Sequence, residues 1–303
     1  MIETSQLLVL MALSKSSSLS EAAEYLSITQ SAVSQHIKNL ESKLAFPIVS
    51  RQGKKLVLTP AGKKIATMGK SYARKFDDLI TEIQQENNQI MGGVSLGTLF
   101  GIGKSWIAHR MVEFSTEYPD LLVKVELDYP DRLLRAFEAR DFDYLILPRK
   151  LTPSYAESKL LHSETLTLVV PKQKEFNIPS DITLKELTDL PTIFFEDKDP
   201  LFYQWCKSKF GVLPRNIKPR LVINAFGQML QAVHEGLGIA VIPTHVLDRS
   251  FFKDKIQTFG KDFEFKSADF DFIYHSEFKD SLKAETLFNF LHQEVTNLTD
   301  IYE

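Results

Sequence analysis

The sequence predicts an α/β protein whose N-terminal third is of a different kind from the rest, on three observations. Residues 1–91 read as helices around one short hairpin, whereas beyond Gly92-Gly93 short apolar strands alternate with helices. The composition, 44% apolar and 25% charged over 303 residues, is that of a folded chain long enough for two domains. Disordered, collagen-like and disulfide-scaffold classes are thereby excluded. No apolar run reaches the roughly 18 residues a bilayer requires. The start, Met1-Ile2-Glu3-Thr4-Ser5-Gln6, lacks the basic segment and small-residue cleavage site of a secretory leader. The lone Cys206 closes no intrachain disulfide and is poor material for a metal site. The expectation is a protein of the reducing cytoplasm with no membrane association, no cofactor and no metal.

The net charge of −3 speaks against a nucleic-acid partner only as an average. Residues 1–91 carry 11 basic and 8 acidic side chains, and the remainder 25 and 31. A mildly basic head is attached to an acidic body.

The first 45 residues read as three short helices. Leu7, Leu8, Leu10, Met11 and Leu13 give the first an apolar face, and Ser18-Leu19-Ser20-Glu21 has the form of a capping box that opens the second, Glu21 to Leu26. Ala22-Ala23 lets another helix approach closely. Ser27-Ile28-Thr29 makes a turn, and Thr29 caps a third helix running from Gln30 to about Leu44. There Val33, Ile37, Leu40 and Leu44 form one stripe, while the other side collects Gln30, Ser31, Ser34, Gln35 and Lys38. A merely solvated face would more usually carry Glu/Lys pairs. Two short helices and a tight turn, the second helix polar and non-acidic outside, suggest helix-turn-helix DNA binding.

Pro47 to Ser50 and Lys55 to Leu58 predict a hairpin wing around the basic turn Arg51-Gln52-Gly53-Lys54. Thr59-Pro60 starts a long helix towards Gln89. Its residues Ile65, Met68, Tyr72, Phe76, Leu79 and Ile83 recur at near-heptad spacing, which argues for a helix that pairs with a second copy. Gly92-Gly93 is expected to end it. Beyond lie strand candidates at 94–96, 122–127, 144–147, 165–170, 192–195, 221–223 and 239–242. Helices are expected at 106–118, 132–139, 202–210 and 227–235, and the alternation implies a largely parallel sheet.

Three blocks then become recognisable together. They are Leu19-Ser20-Glu21-Ala22-Ala23-Glu24-Tyr25-Leu26, Thr29-Gln30-Ser31-Ala32-Val33-Ser34-Gln35-His36-Ile37-Lys38-Asn39-Leu40-Glu41, and Leu58-Thr59-Pro60-Ala61-Gly62. In order and spacing they resemble the LysR-type transcriptional regulators. The segment from Leu230 to Pro243 resembles the run into a strand of that family's effector domain. The resemblance implies a winged helix-turn-helix at 1–58, a linker and dimerisation helix at 59–91, and at 92–303 a two-lobed domain like a periplasmic binding protein. Lobe one would comprise 92–163 and 266–303, and lobe two 164–265. It further implies double-stranded promoter DNA and a small-molecule effector as partners, a homodimer or homotetramer, contact with RNA polymerase, and no catalysis. Two departures stand out. Ala45 occupies a position that is usually Gly, with Ile48-Val49-Ser50 before the wing Arg51, and Ser105-Trp106-Ile107 stands where many members have a Pro after the first strand.

Carried over residue by residue, the family pattern assigns Gln30, Ser31, Ser34 and Gln35 to base or groove contacts and Lys38 to phosphate. On the wing, Arg51, Lys54 and Lys55 would meet the DNA backbone or minor groove. Ligands of α/β sheets sit at the carboxyl ends of parallel strands. That assigns the effector to Thr98, Leu99, Phe100 and Gly101, to Asp128 and Tyr129, to Pro148 and Arg149, and to Asn224, Ala225 and Phe226. Phe100 and Phe226 suit a partly apolar ligand with one anionic group, or simply pack the lobes together; Asp128 would disfavour an anion if it faced the cleft.

Other chemistries have weaker signals. Gly93-Val94-Ser95-Leu96-Gly97 matches a nucleophile elbow in letters, yet Ser95 falls inside the first strand candidate. Gly97 to Ser105 ends in the Gly-Lys-Ser of a phosphate loop with its first glycine displaced by one, which keeps a nucleotide-binding alternative open. The seven histidines form no zinc-ligand pair on one helix. Cys206 is either a buried thiol or a redox sensor.

Overall fold

Three helices open the chain in the computed structural model, and the sequence supplies most of their caps. The structure describes residues 2–52, 55–84, 90, 92–173, 176–215, 217–259, 265–279 and 281–299. Helix α1 (Thr4–Leu13) is followed by α2 (Leu19–Leu26), where Ser18 Oγ accepts the Glu21 N–H at 3.2 Å. The other half of the expected capping box differs. The Glu21 carboxylate takes the Ser17 N–H and hydroxyl, at 2.7 and 2.9 Å, instead of the Ser18 N–H. Ser27 turns the chain with φ 54°, and Thr29 Oγ1 accepts from Ala32 N at 3.2 Å to begin α3 (Gln30–Leu44). Helix α3 buries Val33, Ile37 and Leu40 in one core with Val9, Leu10, Ala22 and Ala23.

Ala45 ends α3 in the left-handed region, φ 59° and ψ 24°, where a Cβ crowds the backbone and glycine is favoured. Ala45→Gly is therefore expected to stabilise the head by about 0.5–1 kcal/mol, net of the freedom it adds to the unfolded chain. Denaturant unfolding checks this; an unchanged or lowered midpoint would show that the helix end tolerates Ala without strain.

Glu41 Oε1 then accepts from the backbone of Ile48 and Val49, at 2.8 and 3.3 Å, and fixes the start of the wing. Strands β1 (Val49–Gln52) and β2 (Lys55–Leu58) pair antiparallel, with Val49 facing Leu58. Thr59 Oγ1 donates to Pro47 O and accepts from Gly62 N, starting α4 (Pro60–Gln84). A Cβ on Gly62 would lie 2.1 Å from Ile48 O, so the motif requires glycine there.

The chain divides into two compact units: Met1–Gly93 with Arg135–Phe142, and Val94–Leu134 with Asp143–Glu303. Strand β3 (Gly92–Leu99) starts at a glycine with φ 100°; the stretch 85–89, over which the helix was expected to continue, lies outside the described residues. There follow α5 (Phe100–Ile102), a π-helical turn Gly103–Ile107, α6 (Ala108–Glu117), β4 (Leu121–Asp128), α7 (Pro130–Glu138) and β5 (Tyr144–Pro148). The long β6 (Ala156–Val170) leads to α8 (Leu184–Asp189), β7 (Ile193–Phe194), α9 (Pro200–Phe210), β8 (Leu221–Val222) and α10 (Phe226–His234). The remainder is β9 (Ala240–Pro243), α11 (Thr244–Asp248), β10 (Gln257–Phe259), β11 (Phe265–His275) and α12 (Leu282–Thr299).

The main sheet runs β10-β6-β11-β5-β3-β4, with β9 also on β6. It is mixed, not largely parallel. β3–β5 and β7–β8 are parallel, but β6 and β11 pair antiparallel with each other and with β5, β9 or β10. Strand β6 is shared along its length: residues 156–160 face 271–275 of β11, and residues 166–169 face 240–243 of β9. The second unit packs two apolar clusters, one around Ile193, Met229, Val233 and Ile242, the other around Leu168, Phe202, Trp205 and Val241.

Candidate functional site

The head presents the polar face of α3 outward. Gln30, Ser31, Gln35 and Lys38 are exposed and Ser34 half-buried, with the apolar stripe turned into the core. Gln35 Nε2 donates to Asn39 Oδ1 at 2.8 Å, and Gln30 Oε1 accepts from Ser20 Oγ at 3.4 Å, so both amides are held by neighbours. Arg51 and Lys55 are exposed on β1 and β2; Lys54 lies outside the described residues. Short donors on an exposed helix, flanked by cations, match the division between base readers and phosphate anchors.

Along α4 the expected stripe divides. Ile65 is half-buried against the core of the head, whereas Met68, Tyr72, Phe76, Leu79 and Ile83 are exposed, together with Ile80, which lies on the same side.

In the second unit a cavity of about 680 Å³ is lined by Leu99, Phe100, Gly101, Asp128, Tyr129, Asn224, Ala225 and Phe226, all expected from the strand ends. That volume falls in the range of small-molecule sites. Phe100 and Tyr129 meet edge to face with centroids 5.6 Å apart, and Phe195 lies 4.6 Å from Phe226. Asp128 faces the cavity, but Arg132 pairs with its Oδ2 at 3.1 Å and the Tyr129 N–H with its Oδ1 at 2.8 Å.

Several lining residues were not among the expected ones: Lys104, Glu164, Phe195, Glu196, His245 and Phe270. Glu164 sits on β6 opposite Ala268, and the bulge beside it leaves Ser267 free to donate to Glu164 Oε2 at 2.9 Å. Burial pushes its carboxyl up to about 7. The alternation Glu164, Leu166, Leu168, Val170 was the available signal, a carboxylate in a row that otherwise points inward and apolar. His245 Nε2 lies 2.8 Å from Ser105 Oγ, whose own proton points to Gly101 O at 2.9 Å. Nε2 is then the donor, and Nδ1 is buried without a hydrogen-bond partner among the described residues. Burial lowers His245 to about 3 and His162, whose ring lies 5.8 Å away, to about 4.

Three expected effector residues lie elsewhere. Thr98 is fully buried, its hydroxyl donating to Ile146 O at 2.8 Å, because the strand's alternation turns Leu99, not Thr98, to the cavity. Arg149 is turned to β11, donating to Asp271 at 2.9–3.1 Å and to Asp269 at 3.0 Å. Pro148 pairs in register with Phe270, which takes the lining position itself.

The rival chemistries lose their geometry. Ser95 is inside β3 and donates to Asp143 Oδ2 at 2.6 Å, with no strand-turn-helix around it. Phe100 to Ile107 are helical, so the Gly-Lys-Ser residues form no phosphate-cradling loop. Cys206 is fully buried, and burial pushes its thiol up to about 12, far from a reactive thiolate. Among the described residues no helix is long and apolar enough to cross a membrane.

A winged helix-turn-helix, joined in one chain to an α/β unit with a ligand-sized cavity, defines a ligand-responsive DNA-binding regulator. The family model described as the LysR substrate binding domain matches residues 87–296, and that of the bacterial regulatory helix-turn-helix protein, lysR family, matches residues 4–63. The chain is 24% identical over 304 residues to the HTH-type transcriptional activator CmpR of Synechocystis, covering 97% of each. It is 26% identical over 251 residues to the regulator YybE of Bacillus subtilis, covering 80% of this chain and 82% of that one. Similar solved structures include ArgP from Mycobacterium tuberculosis (TM-score 0.70, 17% identity, 96% of both chains). Another is full-length LysG from Corynebacterium glutamicum with bound effector Arg (TM-score 0.64, 16% identity, 96% of this chain and 98% of that one). The chain belongs to the LysR family of transcriptional regulators, whose members bind DNA and small-molecule effectors and form oligomers.

Proposed function

We propose that this chain is a cytoplasmic, non-catalytic regulator that reads a promoter sequence as a homodimer or homotetramer and changes its grip when a small molecule fills the cavity of its α/β unit. The observation that carries the DNA reading is the exposed, non-acidic polar face of α3 with Arg51 and Lys55 on the adjoining hairpin. Gln30, Ser31, Ser34 and Gln35 read base edges, and Lys38, Arg51, Lys54 and Lys55 hold phosphates. The stripe Met68, Tyr72, Phe76, Leu79 and Ile83 joins two copies, which sets two reading heads on the two halves of a symmetric site. The head carries few cations, so each monomer binds weakly and pairing supplies much of the affinity. The arginine bound to the structurally similar LysG supports a small-molecule occupant for the cavity. Contact with RNA polymerase follows from action at promoters.

Mapping the protein's DNA sites across the genome of its host tests this. Discrete sites sharing a two-fold symmetric sequence near promoters are expected; diffuse occupancy without a shared sequence would overturn it.

A further inference from the structure

The cavity wall holds a buried carboxyl, Glu164, that pairs with no cation among the described residues. Glu164 is only 7% exposed, and among the described residues its one hydrogen-bond partner is the neutral Ser267 hydroxyl. A buried carboxylate is costly unless a cation meets it. The other sheltered carboxylate on the wall, Asp128, already has Arg132, whereas Lys104 is exposed with its Nζ over the face of Phe100, 5.8 Å from the ring centroid. The walls are aromatic, and ring faces attract cations and repel anions.

We propose that the effector is an organic cation, a protonated amine or guanidine-like head on an apolar body, with the head against Glu164 and the body along Phe226 and Phe100. This replaces the anionic group expected from the sequence, and it rests on the reading of the cavity as the effector site. The other ionisable groups facing the cavity are Lys104, Asp128, Tyr129, Glu196 and His245. Because burial holds the Glu164 carboxyl near 7, a cation that needs its charged form binds more tightly as the pH rises from 6 to 8.

The test is titration of the full-length chain, followed by ligand-observed NMR, with three matched probes: 2-phenylethylammonium, 2-phenylethanol and phenylacetate. Wild type, Glu164→Gln and the cavity-filling Ala225→Trp are compared after unfolding curves show each to be folded. The ammonium is expected to bind at least about tenfold more tightly than the other two at pH 8. Glu164→Gln is expected to remove that advantage while leaving the alcohol unchanged, and Ala225→Trp to abolish binding of all three. If phenylacetate binds best, or if the ammonium ignores Glu164→Gln, the cation assignment is wrong and the effector site stands. If no probe binds, or binding survives Ala225→Trp, the effector-site reading fails and the cation assignment falls with it.

Discussion

Replacing Phe76 and Leu79 together by Glu is expected to leave the chain monomeric and to weaken its hold on promoter DNA by at least about 100-fold. Helix α4 spans 25 residues, about 37 Å. On it Phe76 is 65% exposed, Ile83 65% and Met68 61%, which is unusual for large apolar side chains. Water disfavours such a stripe by roughly 25 cal/mol for each Å² of apolar surface, and a second α4 laid along it removes that surface from water. Glutamates at two central positions would each have to be desolvated within the pair. The substitutions lie outside the core of the head, which is built from α1–α3, the wing and the start of α4, so each monomer stays folded. Sedimentation equilibrium and fluorescence anisotropy read the two effects. A double variant that still dimerises would show that the stripe is covered by something other than a second α4.

The second large effect is on stability against pH, and it has two opposing contributions. His162 and His245 take up a proton near pH 6.5 when unfolded, but in the fold only near pH 4 and pH 3. The stability they hold is complete above pH 6.5 and is lost as the pH falls, about 2 kcal/mol from each by pH 5. Glu164 works the other way. Between pH 4.5 and about 7 the fold retains a proton that the unfolded chain has released, so stability declines as the pH rises. That loss amounts to about 3 kcal/mol above pH 7. The two windows overlap and two imidazoles outweigh one carboxyl, so stability is expected to rise from pH 5 to about pH 7 and to level off above it. Denaturant midpoints from pH 5 to 8 measure it. Glu164→Gln should steepen the rise between pH 5 and 7, and His162→Gln with His245→Gln should turn it into a decline; variants with the wild-type slope would contradict both assignments.

The DNA-binding head was legible because its signals are local. Ser18, Thr29 and Thr59 each accept the backbone N–H three residues on, and Val33, Ile37 and Leu40 form the buried stripe their spacing implies. The sheet was harder. Short apolar runs such as Tyr144 to Leu147 mark a strand but do not say which neighbour it takes or in which direction. The first half of β6, Ala156 to Leu160, is largely exposed, so it lacks the apolar run that revealed Thr165 to Val170. The cavity divides along the same line. Leu99, Asp128, Tyr129 and Asn224 follow strands, where position along the chain already implies a ligand. Glu164 and Phe270 come from the two long strands β6 and β11, and their antiparallel pairing brings both to the same cavity.

The most direct measurement of sequence reading is fluorescence anisotropy on a cognate and a scrambled duplex at fixed salt, with wild type, Gln35→Ala and Arg51→Ala side by side. Gln35→Ala is expected to lose about 1–3 kcal/mol of the preference for the cognate duplex while its affinity for the scrambled one holds. Arg51→Ala should weaken both duplexes alike and reduce the salt dependence. Equal losses on both duplexes from both substitutions, or none from Gln35→Ala, would contradict the assignment of α3 as the reading helix.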